Sequence, residues 1–222
     1  EPPAKLVDAL LQCIDTTQTP DVALSTIVEL CRRFEGYKFT TAPSRERFLT
    51  LLSGSIARNH AAEALTEEHL VLFLSKLQSV ATNDLPYRTF VLSVASRLDD
   101  AAMLSPEQLA ACMSVLQHFT AADAPAPPLL RFFTRSLATL RENGTTLNAD
   151  EIRTAFWSLQ RMDSHFSTVQ DLMQQLLLHL DSQTPVSADA VEGMLYGLRN
   201  KHSCPVVNQV VAELADRVAN MQ

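Results

Sequence analysis

Leu147-Asn148-Ala149-Asp150-Glu151-Ile152 is the stretch that decides how this chain folds, because three near-copies of it recur along the sequence. They are Leu65-Thr66-Glu67-Glu68-His69-Leu70, Leu104-Ser105-Pro106-Glu107-Gln108-Leu109 and Val186-Ser187-Ala188-Asp189-Ala190-Val191. Seven places after the end of each copy stands a leucine: Leu77, Leu116, Leu159 and Leu198. The starts are 39, 43 and 39 residues apart, and the four extra residues of the middle interval fall beside the loop Pro125-Ala126-Pro127-Pro128. An insertion at a loop leaves the period intact, and self-similarity at such a period marks a repeat architecture.

Each copy also carries a helix start. Thr66, Ser105, Asn148 and Ser187 are N-cap residues, whose side-chain oxygen takes a bond from a free N–H of the first turn. Gln108 and Glu151 stand three residues after their caps, the spacing of a capping box, and the acidic Glu68, Glu107, Asp150 and Asp189 suit the positive end of the helix dipole. Apolar residues then fall at Ile152, Ala155, Phe156 and Leu159, and at Val191, Met194, Leu195 and Leu198, which is helical and not strand periodicity.

A second amphipathic stretch follows each start, at residues 86–98, 128–140, 167–180 and 205–218; Pro86, Pro128 and Pro205 sit where a missing N–H costs nothing. Upstream, helices are predicted at 21–34 and 44–58 as a degenerate pair, with a leftover helix at 5–14. One helix pair cannot bury its apolar face alone, whereas a stack can. The expected fold is therefore all-α: a solenoid of stacked antiparallel helix pairs with a repeat of about 39 residues and eleven helices in all. It is read as one domain over 1–222, with degenerate units at 1–64 and recognisable repeats at 65–103, 104–146, 147–185 and 186–222.

Composition narrows the function classes. Five glycines, none grouped after an apolar run, leave no phosphate-cradling loop. No apolar stretch approaches the roughly 18 residues that span a bilayer, so no membrane partner is expected. Cys13, Cys31, Cys112 and Cys204 are scattered through apolar helical patterns without a C-x-x-C pair, which predicts reduced, mostly buried thiols and a reducing compartment. Asn143-Gly144-Thr145 has the form of a glycosylation triplet but reads better as an interhelical turn. The chain opens at Glu1-Pro2-Pro3 without an initiator Met, so a trimmed or processed start is expected.

Little supports catalysis. His60, His69, His118, His165, His179 and His202 are scattered over five units without metal-ligand spacing, and no H-E-x-x-H, G-x-S-x-G or clustered carboxylate pair is present. The expectation is no enzyme, no catalytic residue, no metal, no cofactor and no small-molecule substrate.

In a stack of repeats, equivalent positions line up into stripes. Gln78, Gln117, Gln160 and Arg199 form one such ladder, with Ser79, His118, Arg161 and Asn200 beside it. It suits hydrogen bonding to RNA bases or to an extended peptide, and equally a solvated helix end. Three residues earlier come Ser75, Ser114, Trp157 and Tyr196, so the last two units place aromatics at matching positions, either for base stacking or for inter-repeat packing. The net charge of −7 repels a polyanion, but six basic residues (Arg32, Arg33, Lys38, Arg45, Arg47 and Arg58) against Glu35 and Glu46 give residues 31–60 a local charge of +4. That segment is the first candidate for phosphate contact; Arg131, Arg135 and Arg141 are the second.

The phrases Asn148-Ala-Asp-Glu-Ile-Arg-Thr-Ala-Phe-Trp-Ser-Leu-Gln160 and Ser187-Ala-Asp-Ala-Val-Glu-Gly-Met-Leu-Tyr-Gly-Leu-Arg199 resemble the octotricopeptide class of organellar RNA-binding helical repeats. They are more similar still to helical-repeat subunits of trypanosomatid mitochondrial RNA-editing mediator and guide-RNA-binding complexes, where phrases like Leu195-Tyr-Gly-Leu198 recur. The likeness covers residues 65–222; the tetratricopeptide pattern fits poorly, since its period is 34. The resemblance implies a scaffold in a mitochondrial RNA-processing assembly, located in the matrix. Protein subunits would be its partners, and RNA would be contacted directly or through them. Alternatives are a direct RNA binder and a HEAT-like adaptor unrelated to RNA.

Overall fold

The computed structural model describes residues 24–34, 39, 41–58, 65–80, 82, 84–98, 103–180 and 185–220. Among them the secondary structure is helical throughout, with no strand. The chain divides into two compact units, Glu1–Ala102 and Met103–Gln222, a division within one residue of the boundary between the 65–103 and 104–146 repeats.

Unit 1 holds α1 (Leu24–Arg33), α2 (Ala42–Arg58), α3 (Glu67–Leu74) and α4 (Leu85–Ala95), with a 3₁₀ turn at Lys76–Val80. Unit 2 holds α5 (Pro106–Met113), a 3₁₀ turn at Ser114–His118, then α6 (Ala126–Glu142), α7 (Ala149–Ser158), α8 (Ser167–His179), α9 (Ala188–Leu198) and α10 (Pro205–Ala219). The predicted helix at 5–14 lies outside the described residues.

The caps fall where the sequence placed them. Thr66, Ser105, Asn148 and Ser187 each accept from the N–H three residues on, and Gln108 and Glu151 close capping boxes by reaching back to the cap N–H. His69 closes a third box at Thr66, a role the sequence reading had not assigned. The turn at Asn143-Gly144-Thr145 is a Schellman motif: Gly144 takes φ +72°, its N–H donates to the Arg141 carbonyl, and Thr145 N–H reaches Leu140.

Packing follows one rule within each unit: a helix lies against the helix two places on. In unit 1, α1 packs on α3 and α2 on α4; in unit 2, α5, α7 and α9 form one row and α6, α8 and α10 another. The four aligned leucines, Leu77, Leu116, Leu159 and Leu198, are all buried, as are Leu65, Leu104 and Leu147 ahead of the caps. Cys31 and Cys112 are buried free thiols whose pKa burial pushes up to about 12, so they act as small apolar core groups.

The tightest contact is α7 on α9. A Cβ on Gly197 would lie 2.0 Å from the Phe156 carbonyl oxygen, and one on Gly193 would lie 2.5 Å from Cγ of Arg153. Two glycines four apart thus clear the face of α9 on which α7 rests.

Buried side chains fasten neighbouring layers. His179, with no exposed surface, accepts from Leu147 N–H at Nδ1 (3.3 Å), and its Nε2–H donates to the Leu137 carbonyl (2.9 Å). It therefore sits as the neutral Nε2–H tautomer. Burial above all lowers its pKa, and Arg141 lowers it further, against the opposing Leu137 hydrogen bond.

Two outcomes are expected. Gly197→Ala should cost about 1–3 kcal/mol in chemical denaturation, because its methyl meets fixed backbone. Gly193→Ala should cost less, since the Arg153 stem can swing aside; equal stabilities for wild type and Gly197→Ala would contradict the close approach. Second, a His held neutral in the fold takes up its proton more readily once unfolded, so stability should fall as pH drops below about 6.5. His118, also shifted down by burial and then by Arg161, contributes in the same direction. His179→Gln should flatten that slope in denaturation curves between pH 7.5 and 5.5, and an unchanged slope would count against the neutral tautomer.

Candidate functional site

In unit 2 the repeat register turns sequence stripes into surface features. Trp157 on α7 and Tyr196 on α9 occupy the same repeat position and stack face to face, with centroids 4.1 Å apart and planes 13° apart. The Arg199 guanidinium lies 3.9 Å from the Tyr196 centroid, so a cation, a phenol and an indole form one pile. The bare faces of Gly193 and Gly197 let the two helices come close enough for this.

Inter-repeat packing of these aromatics is thus realised, but the indole is not consumed by it. Trp157 remains 41% exposed and borders a small cleft of about 140 Å³ with Ser114, Gln117, Arg153, Thr154 and Ser158. At the equivalent position in the preceding repeat stands Ser114, whose small side chain leaves the pile open on that side.

The predicted ladder lies just beyond the C-terminal ends of the leading helices. Gln117 is half-buried in its 3₁₀ turn, with Nε2 3.4 Å from His118 Nε2. Arg161 is exposed, and near enough for its charge to lower the His118 pKa after burial has done so. Gln160 uses its backbone, its carbonyl accepting from the Asn200 side-chain amide at 3.4 Å. Lys201 donates to the Leu159 carbonyl at 2.6 Å, and burial lowers its pKa to about 8 despite Asp163 nearby. The side chains of Gln78 and Ser79 lie outside the described residues.

In the basic segment, Lys38 and the side chain of Arg58 lie outside the described residues. Arg45 is committed within its unit: it pairs with Asp84 and donates to Thr82 (2.6 Å) and the Val80 carbonyl (3.3 Å). Burial pushes the Asp84 carboxyl up, but hydrogen bonds from Thr82, Arg45 and the Tyr87 N–H outweigh it and hold it below the ordinary carboxylate range. Arg32 pairs with Glu68 and lies 4.0 Å from Glu29, and Arg33 pairs with Glu29 at 2.9 Å. Arg47 is half-buried on α2. Arg131, Arg135 and Arg141 are exposed on α6.

Unit 1 carries a groove of about 760 Å³ between α2 and α4. Thr50, Ser53, Gly54 and Ala57 line one wall, and Leu85, Leu92 and Ser93 the other. Leu85 is 75% exposed and Leu92 40%, so the groove has an apolar rim.

One cluster was hidden from the sequence. The expectation of no metal set rested on the six histidines being scattered over five units, yet His165 and His202 meet at the turns after α7 and α9, with Asp163 beside them. The signal that could have found them is the repeat period itself, since 37 residues separate the two. Among the described residues, no helix is long and apolar enough to cross a membrane.

Tyr196→Ala should cost about 1 kcal/mol of stability and make Trp157, the sole tryptophan, more accessible to acrylamide quenching of its fluorescence. Unchanged quenching would mean that the rings are not stacked in solution. Compared with known proteins, the chain matches no family model, no curated protein and no solved structure.

Proposed function

We propose that the chain is a helical-repeat solenoid working as a non-enzymatic scaffold, which seats a protein partner in the groove between α2 and α4. Exposed Leu85 and Leu92 on the rim of that groove carry this reading, because burying two aliphatic side chains against a partner is favourable. The solenoid is supported by the packing of every second helix within each unit, and by side-chain bonds that join residues 35–42 apart, about one repeat.

The setting follows from the resemblance of residues 65–222 to helical-repeat subunits of mitochondrial RNA-editing assemblies, which favours an RNA-processing complex in the mitochondrial matrix. A second reading, direct RNA contact, is favoured by the Trp157–Tyr196–Arg199 pile. An exposed indole backed by a phenol and a guanidinium is a surface on which bases stack whatever their sequence.

Two comparisons test these readings. Proteins that copurify with the wild-type chain after nuclease treatment should be lost with Leu85→Asp/Leu92→Asp, folding being checked by circular dichroism; unchanged recovery would sink the groove as the seat. In titrations with single-stranded RNA, any affinity should weaken about tenfold in Trp157→Ala, the loss of one stacked base. Affinity that survives Trp157→Ala but vanishes on neutralising Arg131, Arg135 and Arg141 would move the RNA contact to α6.

A further inference from the structure

Asp163 and His165 sit on the turn after α7, and His202 on the equivalent turn after α9. One donor atom from each lies within 4.8 Å of the other two, and the imidazole centroids are 4.2 Å apart at an interplanar angle of 52°. The arrangement is held from below. Ser164 Oγ donates to the His202 carbonyl (3.0 Å), and Gln170 Nε2 donates to the Ser164 carbonyl (2.7 Å). Lys201 and Asn200 tie the second turn to the carbonyls of Leu159 and Gln160.

Asp163 Oδ1 also accepts from the His165 N–H at 2.9 Å and lies 2.9 Å from ring Nδ1, so this oxygen and this nitrogen already stand close to the spacing of two ligands on one ion. We propose that Asp163, His165 and His202 form a surface site for one divalent transition-metal ion of the zinc class, clipping the turn after α7 to the turn after α9.

The chemistry selects the ion. Two imidazoles and one carboxylate suit zinc and its neighbours, whereas magnesium and calcium prefer all-oxygen shells. Tetrahedral zinc, with ligands at about 2.0–2.1 Å, needs its donors about 3.3 Å apart. His165 and His202 are both exposed, so small side-chain rotations on a fixed backbone close the set and leave a fourth position for water. Lys201 is the opposing cation, and its Nζ is drawn to the Leu159 carbonyl.

The test is a calorimetric titration of the whole chain with Zn²⁺ alone in a non-chelating buffer at neutral pH, repeated with Co²⁺ for its visible spectrum. The expected result is one ion per chain, tetrahedral Co²⁺ without a thiolate charge-transfer band, and a raised melting temperature. His165→Ala and His202→Ala should each weaken binding at least tenfold, the lower end of what losing even an outer-shell partner costs. His69→Gln, which keeps a capping side chain at the start of α3, should bind like wild type. Failure of the wild type to bind Zn²⁺ would overturn the proposal, as would undiminished affinity in His202→Ala. So would loss of binding in Cys204→Ser with retention in His165→Ala, since the donors would then lie elsewhere.

Discussion

A helix ends with carbonyls that no residue of its own can satisfy, and in this protein several are satisfied by side chains about one repeat away. Lys201 serves Leu159, Asn200 serves Gln160, and Arg217 reaches Leu180 at 3.4 Å, while Arg45 holds Val80 at the close of a 3₁₀ turn. Lys201, Arg217 and Arg45 are themselves long and half-buried, so those three bonds meet two needs at once. A carbonyl left bare in such a place would cost about 1–3 kcal/mol. The register between packed helices is therefore fixed by polar chemistry as well as by the fit of apolar faces.

Register of this accuracy is what brings like positions together. Trp157 meets Tyr196, and His165 meets His202, because each pair occupies equivalent or nearly equivalent places in successive repeats. Neither pair is close in sequence. The bare face of Gly193 and Gly197 sets the separation of the helices that carry the aromatic pair, so a backbone feature determines how a surface pile is built. Arg45 shows the other side of the principle. It reads in the sequence as part of a basic run, yet Asp84, Thr82 and Val80 take up its guanidinium within the unit.

The helices and their starts were legible because they depend on local chemistry. Thr66, Ser105, Asn148 and Ser187 cap as their side chains dictate, and the leucines seven places beyond each start segment are buried as their period requires. His69 was missed as a box-closing residue because Glu and Gln are the usual occupants of that position. The Asp163, His165 and His202 cluster was missed for a different reason: ligand-spacing rules look along one element, whereas these side chains meet across two turns. The groove between α2 and α4 was equally hidden, since the exposure of Leu85 and Leu92 is decided by what packs beside them and not by their place in an amphipathic pattern.

Helix packing two places on also has a consequence for how the molecule assembles in time. Within each unit the helix contacts and the cross-repeat bonds join elements from the same or adjacent repeats, with the polar ties spanning 35–42 residues. The loop that must close before such a contact forms is therefore short, and loop closure is the slow entropic step that topology imposes. Neighbouring helices of a unit can thus find one another early, before the rest of the unit has packed.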